Sequence, residues 1–448
     1  MKQTAIDLTT GNITSTMLRF SIPMILGNLF QQVYNLADTL IVGHFLGVGA
    51  LAAVGAAYTL MVFLNSIQLG LCMGSGAAFS IFYGARDYGK LHQSRFVAFV
   101  LIACITVLLN VAVFVWIDPL MRLMHVPEDI FLLMREYLWA VFWGIGFTFL
   151  YNYYASLLRA VGDSLTPLIF LAVSVLLNIG LDLLFILAFE WGVAGAAWAT
   201  VISQGFSAAT LMLYTYLKVP MLRMHRSDMH FSWNMVHEVT SFSLLTCIQQ
   251  SVMNLGILMV QGLVNSFGTV VMAAFTVAVK IDTLAYMPAQ DFGNAFSTFI
   301  AQNFGARRFD RIRGGIRSAI CMTFVFCAII SLLVFGFAEN LMLCFVESEE
   351  VELIAVGVQY LRIEGAFYIG IGCLFLLYGY YRAIRMPGMS VVLTVISLGV
   401  RVALAYLLAA VPSIGVVGIW WAIPIGWFLA DLVGILYLRR LKYSPSHS

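Results

Sequence analysis

The sequence predicts an all-α membrane protein with twelve transmembrane helices in two parallel six-helix repeats. Three observations lead to this fold class: 61% of the 448 residues are hydrophobic while only 10% are charged, long apolar segments recur, and the two halves share sequence patterns. A soluble domain carries roughly 25% charged residues, so a water-exposed surface of ordinary size cannot be built from this chain. With 24 basic and 22 acidic residues, the composition also gives no indication of a nucleic-acid partner.

A membrane-spanning helix needs about 20 mostly apolar residues. Segments of this kind lie near 16–43, 52–82, 95–116, 131–158, 166–188, 193–217, 238–265, 272–302, 315–337, 352–381, 389–410 and 415–438. A polar stretch separates the first six from the last six. We therefore predict an N-terminal lobe (1–217), a cytoplasmic linker (218–236) and a C-terminal lobe (237–448).

Basic residues are distributed unevenly among the loops. If the N-terminus is cytoplasmic, 19 of the 24 basic residues fall on the cytoplasmic side, including Lys2, Arg159, Arg226, Arg382 and Lys442. Lys and Arg are enriched in cytoplasmic loops of membrane proteins. The pattern predicts a multi-pass protein of the cell (inner) membrane with both termini in the cytoplasm.

An internal repeat runs through the chain. The segment FYGARDYGKL from Phe82 returns as NFGARRFDRI from Asn303, an offset of 221 residues, and the dipeptide at Arg159 returns at Arg382, an offset of 223. Because each unit has an even number of spans, both units enter the membrane from the same side and the repeats are parallel. Such halves are expected to enclose a central cavity.

Gly70 and Gly74 have the GxxxG spacing that permits close helix packing.

Polar and acidic side chains interrupt the apolar spans at regular spacings. Asn28, Gln31, Asn35 and Asp38 follow one another at intervals of three or four, which puts them on one face of the first helix. In the fifth span, Asn178 and Asp182 are four residues apart and share a face. An Asp inside a membrane helix costs about 2.5–3.5 kcal/mol on insertion scales, and such residues usually have a function.

The ordered set of motifs resembles the multidrug and toxic compound extrusion (MATE) family over essentially the whole chain. The resemblance depends on Pro23 through Asp38-Thr39 in the first span, on the paired Gly-Ala-Arg loops at 84–86 and 305–307, and on the Arg-Ala pairs at Arg159 and Arg382. It implies a V-shaped two-lobe exporter that expels organic cations and other amphipathic compounds in exchange for H⁺ or Na⁺.

The resemblance also implies where the coupling cation binds. One branch of the family uses an Asp of the first helix, an Asn and an Asp four apart in the fifth, and a Thr in the sixth, which correspond here to Asp38, Asn178, Asp182 and Thr200. Two carboxylates in an apolar pocket repel each other unless a proton or a cation neutralises one of them. Carboxylate, amide and hydroxyl oxygens would also suit Na⁺, a hard cation. The alternative is that both acids are buried in permanent bonds to neighbours.

Three further residues complete the predicted machinery. Pro23 is expected to be a hinge of the first helix, because proline removes one backbone hydrogen bond. In the seventh span, Gln250 and Asn254 offer amides without an acid; together with Asn28, Gln31 and Asn35 they are candidates for the substrate cavity. A cation site in the second lobe is in doubt, since the position that matches Asn178 is Arg401. Mutual pairing is expected for the other charges of that lobe, which are Lys280, Asp282, Asp291, Arg401 and Asp431.

Other functional classes find little support in the sequence. The segment GARDYGKL at Gly84 nearly spells a phosphate-binding loop but has Leu91 where Ser or Thr is required, so no nucleotide site is predicted. No enzyme motif is present in the sequence, no cofactor is expected beyond the coupling ion, and the partners are organic cations or drugs and the lipid bilayer. We expect a monomer. The alternatives that stay open are a lipid-linked saccharide flippase of the same two-lobe plan, and a passive channel or receptor.

Overall fold

The computed structural model describes residues 5–124, 126–224 and 228–442. Throughout these residues the regular structure is helical, and they contain no β-strand, as the sequence predicts. Lys2 and Arg226, which contribute to the predicted cytoplasmic charge, lie outside the described residues, and so does the side chain of Lys442.

Sixteen α-helices form within the described residues. The first half contains α1 (Ile13–Leu46), α2 (Val48–Gly84), α3 (Tyr88–Val115), α4 (Ile117–Leu123), α5 (Glu128–Val141), α6 (Ile145–Ala160), α7 (Leu165–Leu183) and α8 (Gly192–Lys218). The second half contains α9 (Trp233–Asn265), α10 (Thr269–Gly305), α11 (Phe309–Gly336), α12 (Ala338–Leu343), α13 (Val351–Gly365), α14 (Tyr368–Ala383), α15 (Pro387–Ala409) and α16 (Val416–Lys442). Since α9 begins at Trp233, the last four residues of the predicted linker are helical.

The two halves repeat the same order of helices. The first three helices have 34, 37 and 28 residues, and their counterparts in the second half have 33, 37 and 28. After α2 and α10 the chain turns through Arg86 (φ 56°) and Arg307 (φ 55°). A positive φ is uncommon for a residue with a side chain, so its recurrence at the same place confirms that the two turns are the same structure.

Membrane-crossing segments account for nearly the whole fold. Ten helical segments of the described chain are long and apolar enough to cross a membrane, and α13 with α14, bent by 52° at their junction, make an eleventh. One of the ten runs from Glu128 to Ala160 and joins α5 to α6. The twelfth predicted crossing is α1. Its 34 residues are long enough to cross a membrane but include the polar side chains of Asn28, Gln31, Asn35 and Asp38.

The halves contact each other through glycines near one end of the bundle, the closed end. A Cβ added to Gly84 would lie 2.0 Å from the carbonyl oxygen of Gln302, and one added to Gly305 would lie 2.0 Å from that of Ile81. Both pairs are related by the offset of 221, so the contact is reciprocal. A Cβ added to Gly74 would likewise lie 2.2 Å from the carbonyl oxygen of Phe242 on α9. The close packing predicted from the glycine spacing in α2 is thus confirmed.

The chain before α1 lies across this closed end. Its residues 5–12 contact the turn between α6 and α7 on one side, and α10 and α11 on the other. Leu8 is fully buried there. Burial raises the pKa of the neighbouring Asp7 carboxyl, but hydrogen bonds from the Thr9 amide and hydroxyl (2.8 and 2.6 Å) and the charge of Arg86 outweigh burial and lower the pKa below its ordinary value. Asp7 therefore stays ionised at neutral pH, and these bonds are lost only in acid.

We expect Gly74→Val to destabilise the folded protein, because the new side chain would overlap the backbone of α9. Overpacking a tight contact costs about 1–3 kcal/mol. A thermal unfolding measurement in detergent should show a lower melting temperature. Gly146→Val is the matched control, since a Cβ at Gly146 has nothing within 4 Å. Equal melting temperatures for the two variants would contradict the close contact.

Candidate functional site

A central cavity of about 620 Å³ lies between the two halves. Small-molecule sites commonly have volumes of roughly 300–1,000 Å³. Its wall uses the N-terminal part of α2, up to Leu69, whereas the glycine contact uses the C-terminal part from Gly70 onward. The cavity is therefore placed toward the end opposite the closed one.

Many amide side chains contribute to the polar part of the wall. The five residues predicted for the substrate cavity all line it, and further amides join them: Asn28, Gln31, Gln32, Asn35, Asn65, Asn152, Gln204, Gln250, Asn254 and Gln290. Amides donate and accept hydrogen bonds without carrying charge. Such a wall can hold polar groups of varied shape.

Charged groups also reach the cavity. Arg159, which the sequence predicts to be one of the cytoplasmic charges, lies within the last turn of α6, and its side chain lines the cavity. Asp282, Glu364 and Arg401 line the second half of the wall. Lys280 instead is exposed on the outside of its helix.

The predicted mutual pairing of the C-terminal-lobe charges is wrong for the described residues. Ion pairs join Lys90 to Asp87, Arg135 to Asp118 and Arg385 to Glu238, and none of these joins two of the predicted partners. Asp291 accepts a hydrogen bond from the amide of Asn28 in the other half. Asp291 lines a second, smaller cavity between the halves, and Arg159 and Arg382 line it too.

The four residues predicted to bind the coupling cation lie together inside the first half. Asp38 on α1, Asn178 and Asp182 on α7, and Thr200 on α8 are 7%, 1%, 0% and 6% exposed. The Asn178 amide donates to the Thr200 hydroxyl at 3.5 Å, and the charge of Asp38 acts on Asp182. Asn178 and Thr200 also line the central cavity, which places the pocket directly beside it.

Oxygen atoms in this pocket lack protein partners. Asp38 Oδ1, Asn178 Oδ1 and both carboxylate oxygens of Asp182 are buried and accept no hydrogen bond. Neither acid is part of an ion pair among the described residues. Burying a carboxylate without a partner is costly, and a proton or a bound cation would lower that cost. The alternative of permanent bonds to neighbours is not supported by this arrangement.

Two tyrosines that the sequence does not predict also lie at the pocket. The hydroxyl of Tyr34 lies 3.0 Å from that of Thr200, and both Tyr34 and Tyr137 are close enough to Asp38 and Asp182 to interact electrostatically with them. Tyr34 precedes Asp38 by four residues and could have been found from that spacing. Tyr137 lies on α5, far away in sequence, and had no such signal.

The local backbone supports this arrangement. Directly after Asp182, α7 passes into a π-helical turn at Leu184–Ala188. Turns of this type are rare and often occur at functional sites.

No group of three or more His, Cys, Asp or Glu side chains that could hold a metal ion occurs in the described part of the chain. The oxygen set of the pocket suits Na⁺ or a proton rather than a transition metal.

Comparison with known proteins agrees with this architecture. The MatE family profile matches residues 23–184 and again residues 243–407. The chain is 30% identical over 437 residues to the probable multidrug resistance protein YpnP of Bacillus subtilis, with 97% of each chain covered. The chain belongs to the MATE family. It is also 28% identical to the probable multidrug resistance protein YoeA of Bacillus subtilis, covering 94% of this chain and 92% of that one.

Solved structures confirm the fold. An outward-facing conformation of a multidrug resistance MATE family transporter superposes with a TM-score of 0.92 at 24% identity, covering 100% of this chain and 99% of the other. The predicted fold class is therefore confirmed: this MATE protein is an all-α, multi-pass membrane protein of two parallel repeats. Its family consists of transporters rather than enzymes.

We expect the thermal stability of this MATE protein to depend on the ion that neutralises Asp38 and Asp182. Melting temperatures should be measured in detergent across a Na⁺ titration against choline at fixed pH, and across a pH series in choline. Asp182→Asn removes one of the two negative charges and should flatten whichever dependence the wild type shows. An unchanged dependence on both ions in the variant would contradict ion binding at this pocket.

Proposed function

We propose that this MATE protein exports organic cations and drugs across the cell membrane in exchange for H⁺ or Na⁺, by alternating access. The single observation that carries the proposal is the buried pair Asp38 and Asp182, which has unpartnered oxygens and lies beside a large cavity between two halves. Its similarity to the probable multidrug resistance proteins YpnP and YoeA supports the substrate class.

The coupling follows from electrostatics. When the pocket holds no cation, the two carboxylates repel each other and attract a positive charge. A proton or Na⁺ that enters the pocket removes this repulsion and changes the hydrogen bonding of α1 around Tyr34. Because α1 carries Pro23 within its length, it can bend there without breaking a further backbone bond. Binding of the ion and binding of the solute are then linked through α1, whose Asn28, Gln31 and Asn35 line the cavity.

Orientation is the second part of the proposal. The closed end carries Arg86, Arg307 and the other basic turns, so we assign it to the cytoplasm together with both termini. The cavity then opens toward the outside, as expected of an exporter about to release its solute. One chain supplies both halves of the cavity, which supports a monomer. A saccharide flippase is less well supported, because acids as well as arginines line the wall.

We expect Asp38→Asn and Asp182→Asn each to reduce ion-driven transport by at least about tenfold, since each removes a charge that the coupling ion neutralises. The measurement is uptake of a fluorescent organic cation into proteoliposomes under an imposed pH or Na⁺ gradient. Asp118→Asn is the matched control, because this exposed acid pairs with Arg135 outside the cavity. Full transport with unchanged ion dependence in both pocket variants would refute the mechanism.

A further inference from the structure

The second half of the cavity wall carries a charged cluster that the proposed ion pocket does not use. Asp282 on α10 and Glu364 on α13 are 4% and 1% exposed, and Arg401 on α15 lies close enough for the three charges to act on one another. All three side chains line the cavity. Nevertheless, no ion pair within 4 Å joins Arg401 to either acid in the described structure.

Each member of this cluster keeps a polar atom without a partner. Asp282 Oδ1, Glu364 Oε1 and Arg401 Nε are buried and make no hydrogen bond, while the hydroxyl of Tyr360 donates to the other oxygen of Asp282 at 3.4 Å. Buried polar atoms are normally satisfied. A guanidinium donor and two carboxylate acceptors are therefore left for a ligand that enters the cavity.

The repeat explains why this cluster differs from the ion pocket. At the offset of 223, Tyr360 corresponds to Tyr137 and Arg401 corresponds to Asn178. The second half thus has a fixed positive charge where the first half has an amide oxygen for its cation. A small cation is repelled from that position, whereas a carboxylate is attracted to it, because guanidinium donors match carboxylate geometry.

We propose that Arg401, Asp282 and Glu364 form a recognition site for zwitterionic solutes. Arg401 binds the carboxylate of the solute, and the two acids receive its ammonium group. Because no ion pair within 4 Å joins Arg401 to either acid, each end of such a molecule has a wall group of opposite charge as its partner. The site rests on the proposed function, because it assumes that the cavity holds the exported solute.

Two fluorescent probes that differ by one carboxylate test this site. Nα-dansyl-lysine carries a carboxylate and an ammonium group, and dansylcadaverine carries the ammonium alone. Binding of both to the purified protein should favour dansyl-lysine, and Arg401→Gln should lower its affinity relative to dansylcadaverine by about tenfold or more. Arg135→Gln, at an exposed ion pair, should leave the ratio unchanged. If Arg401→Gln does not fold, Arg401→Lys, which loses the planar fork, should shift the ratio in the same direction.

The outcomes separate this site from the proposed function. An affinity ratio that Arg401→Gln and Arg401→Lys both leave unchanged would overturn the zwitterion site. Gradient-driven transport of dansylcadaverine in that case would leave the proposed exporter intact. Absence of gradient-driven transport for both probes, with binding ratios shifted as expected, would contradict the exporter but not the site.

An independent observation concerns residues 5–12, which precede α1. The amide of Ile6 donates to the carbonyl of Gly162 in the first half at 2.9 Å. From the second half, Asn303 donates to the carbonyl of Leu8 at 3.0 Å, and Arg311 donates to the carbonyls of Leu8, Thr10 and Gly11 at 3.3, 2.9 and 2.8 Å. This short segment bonds to both halves across the closed end.

We infer that residues 5–12 are a strap that holds the closed end shut and must detach before the cavity opens on that side. One arginine, Arg311, supplies three of the bonds to the strap, and the buried side chain of Leu8 fixes its position. Opening would separate Gly162 from Arg311, and the strap cannot keep both sets of bonds when that distance grows.

Hydrogen exchange followed by mass spectrometry tests the strap. Arg311→Gln should speed exchange in residues 5–12 and also in the C-terminal ends of α2 and α10, because the closed state loses part of its stabilisation. Arg313→Gln, an exposed arginine two residues away, is the control and should change neither region. Faster exchange confined to residues 5–12 would overturn the strap, since the segment would then be a tether without influence on closure.

Discussion

The fold depends on the close approach of two long helices from opposite halves. Gly84 and Gly305 let the backbones of α2 and α10 meet at distances that no side chain would permit, and Gly74 does the same against α9. Because van der Waals attraction is summed over many atoms at short range, this contact holds the halves together without hydrophobic driving force from the lipid. The same helices separate before Gly70, and the space between them becomes the cavity. The closed end and the cavity therefore have one structural cause.

The two halves share a backbone plan but differ in their chemistry. In the first half, α7 presents Asn178 and Asp182 to an acid on α1, and we propose that the resulting pocket takes up a cation. In the second half the corresponding helix presents Arg401, so the positive charge is built into the chain and the acids come from α10 and α13. In the proposed mechanism, this asymmetry lets one half respond to an ion while the other recognises the charged groups of a solute. A symmetric pair of pockets would have left the second half of the cavity wall without the charge of Arg401.

Helix α1 connects these regions. From its N-terminal side it carries Pro23, then Asn28, which donates to Asp291 of the other half, and then Asp38 in the ion pocket. A change at Asp38 that bends α1 near Pro23 would displace Asn28 and disturb its bond to Asp291. The ion pocket is in this way linked mechanically to the contact between the halves, through a single helix and one hydrogen bond.

Much of this protein follows from local sequence. Runs of about 20 apolar residues must be helical in lipid, since every backbone group needs an internal partner, and this determines the helices and the repeat. Spacings of three and four within one helix placed Asn28, Gln31, Asn35 and Asp38 on a common face, as the cavity and pocket now show. The assignment of Asn178, Asp182 and Thr200 to a single pocket with Asp38 came from the family resemblance, and their proximity agrees with it.

Other features were decided only by the tertiary structure. Tyr137 reaches the ion pocket from α5, and Arg159, which has the sequence signature of a cytoplasmic charge, turns into the cavity. The partner of Asp291 proved to be an amide 263 residues away rather than a nearby charge. Helical periodicity determines which residues share a face of one helix, but it contains no information about which face of another helix lies opposite. That choice depends on how closely the backbones can pack, and only the folded structure reveals it.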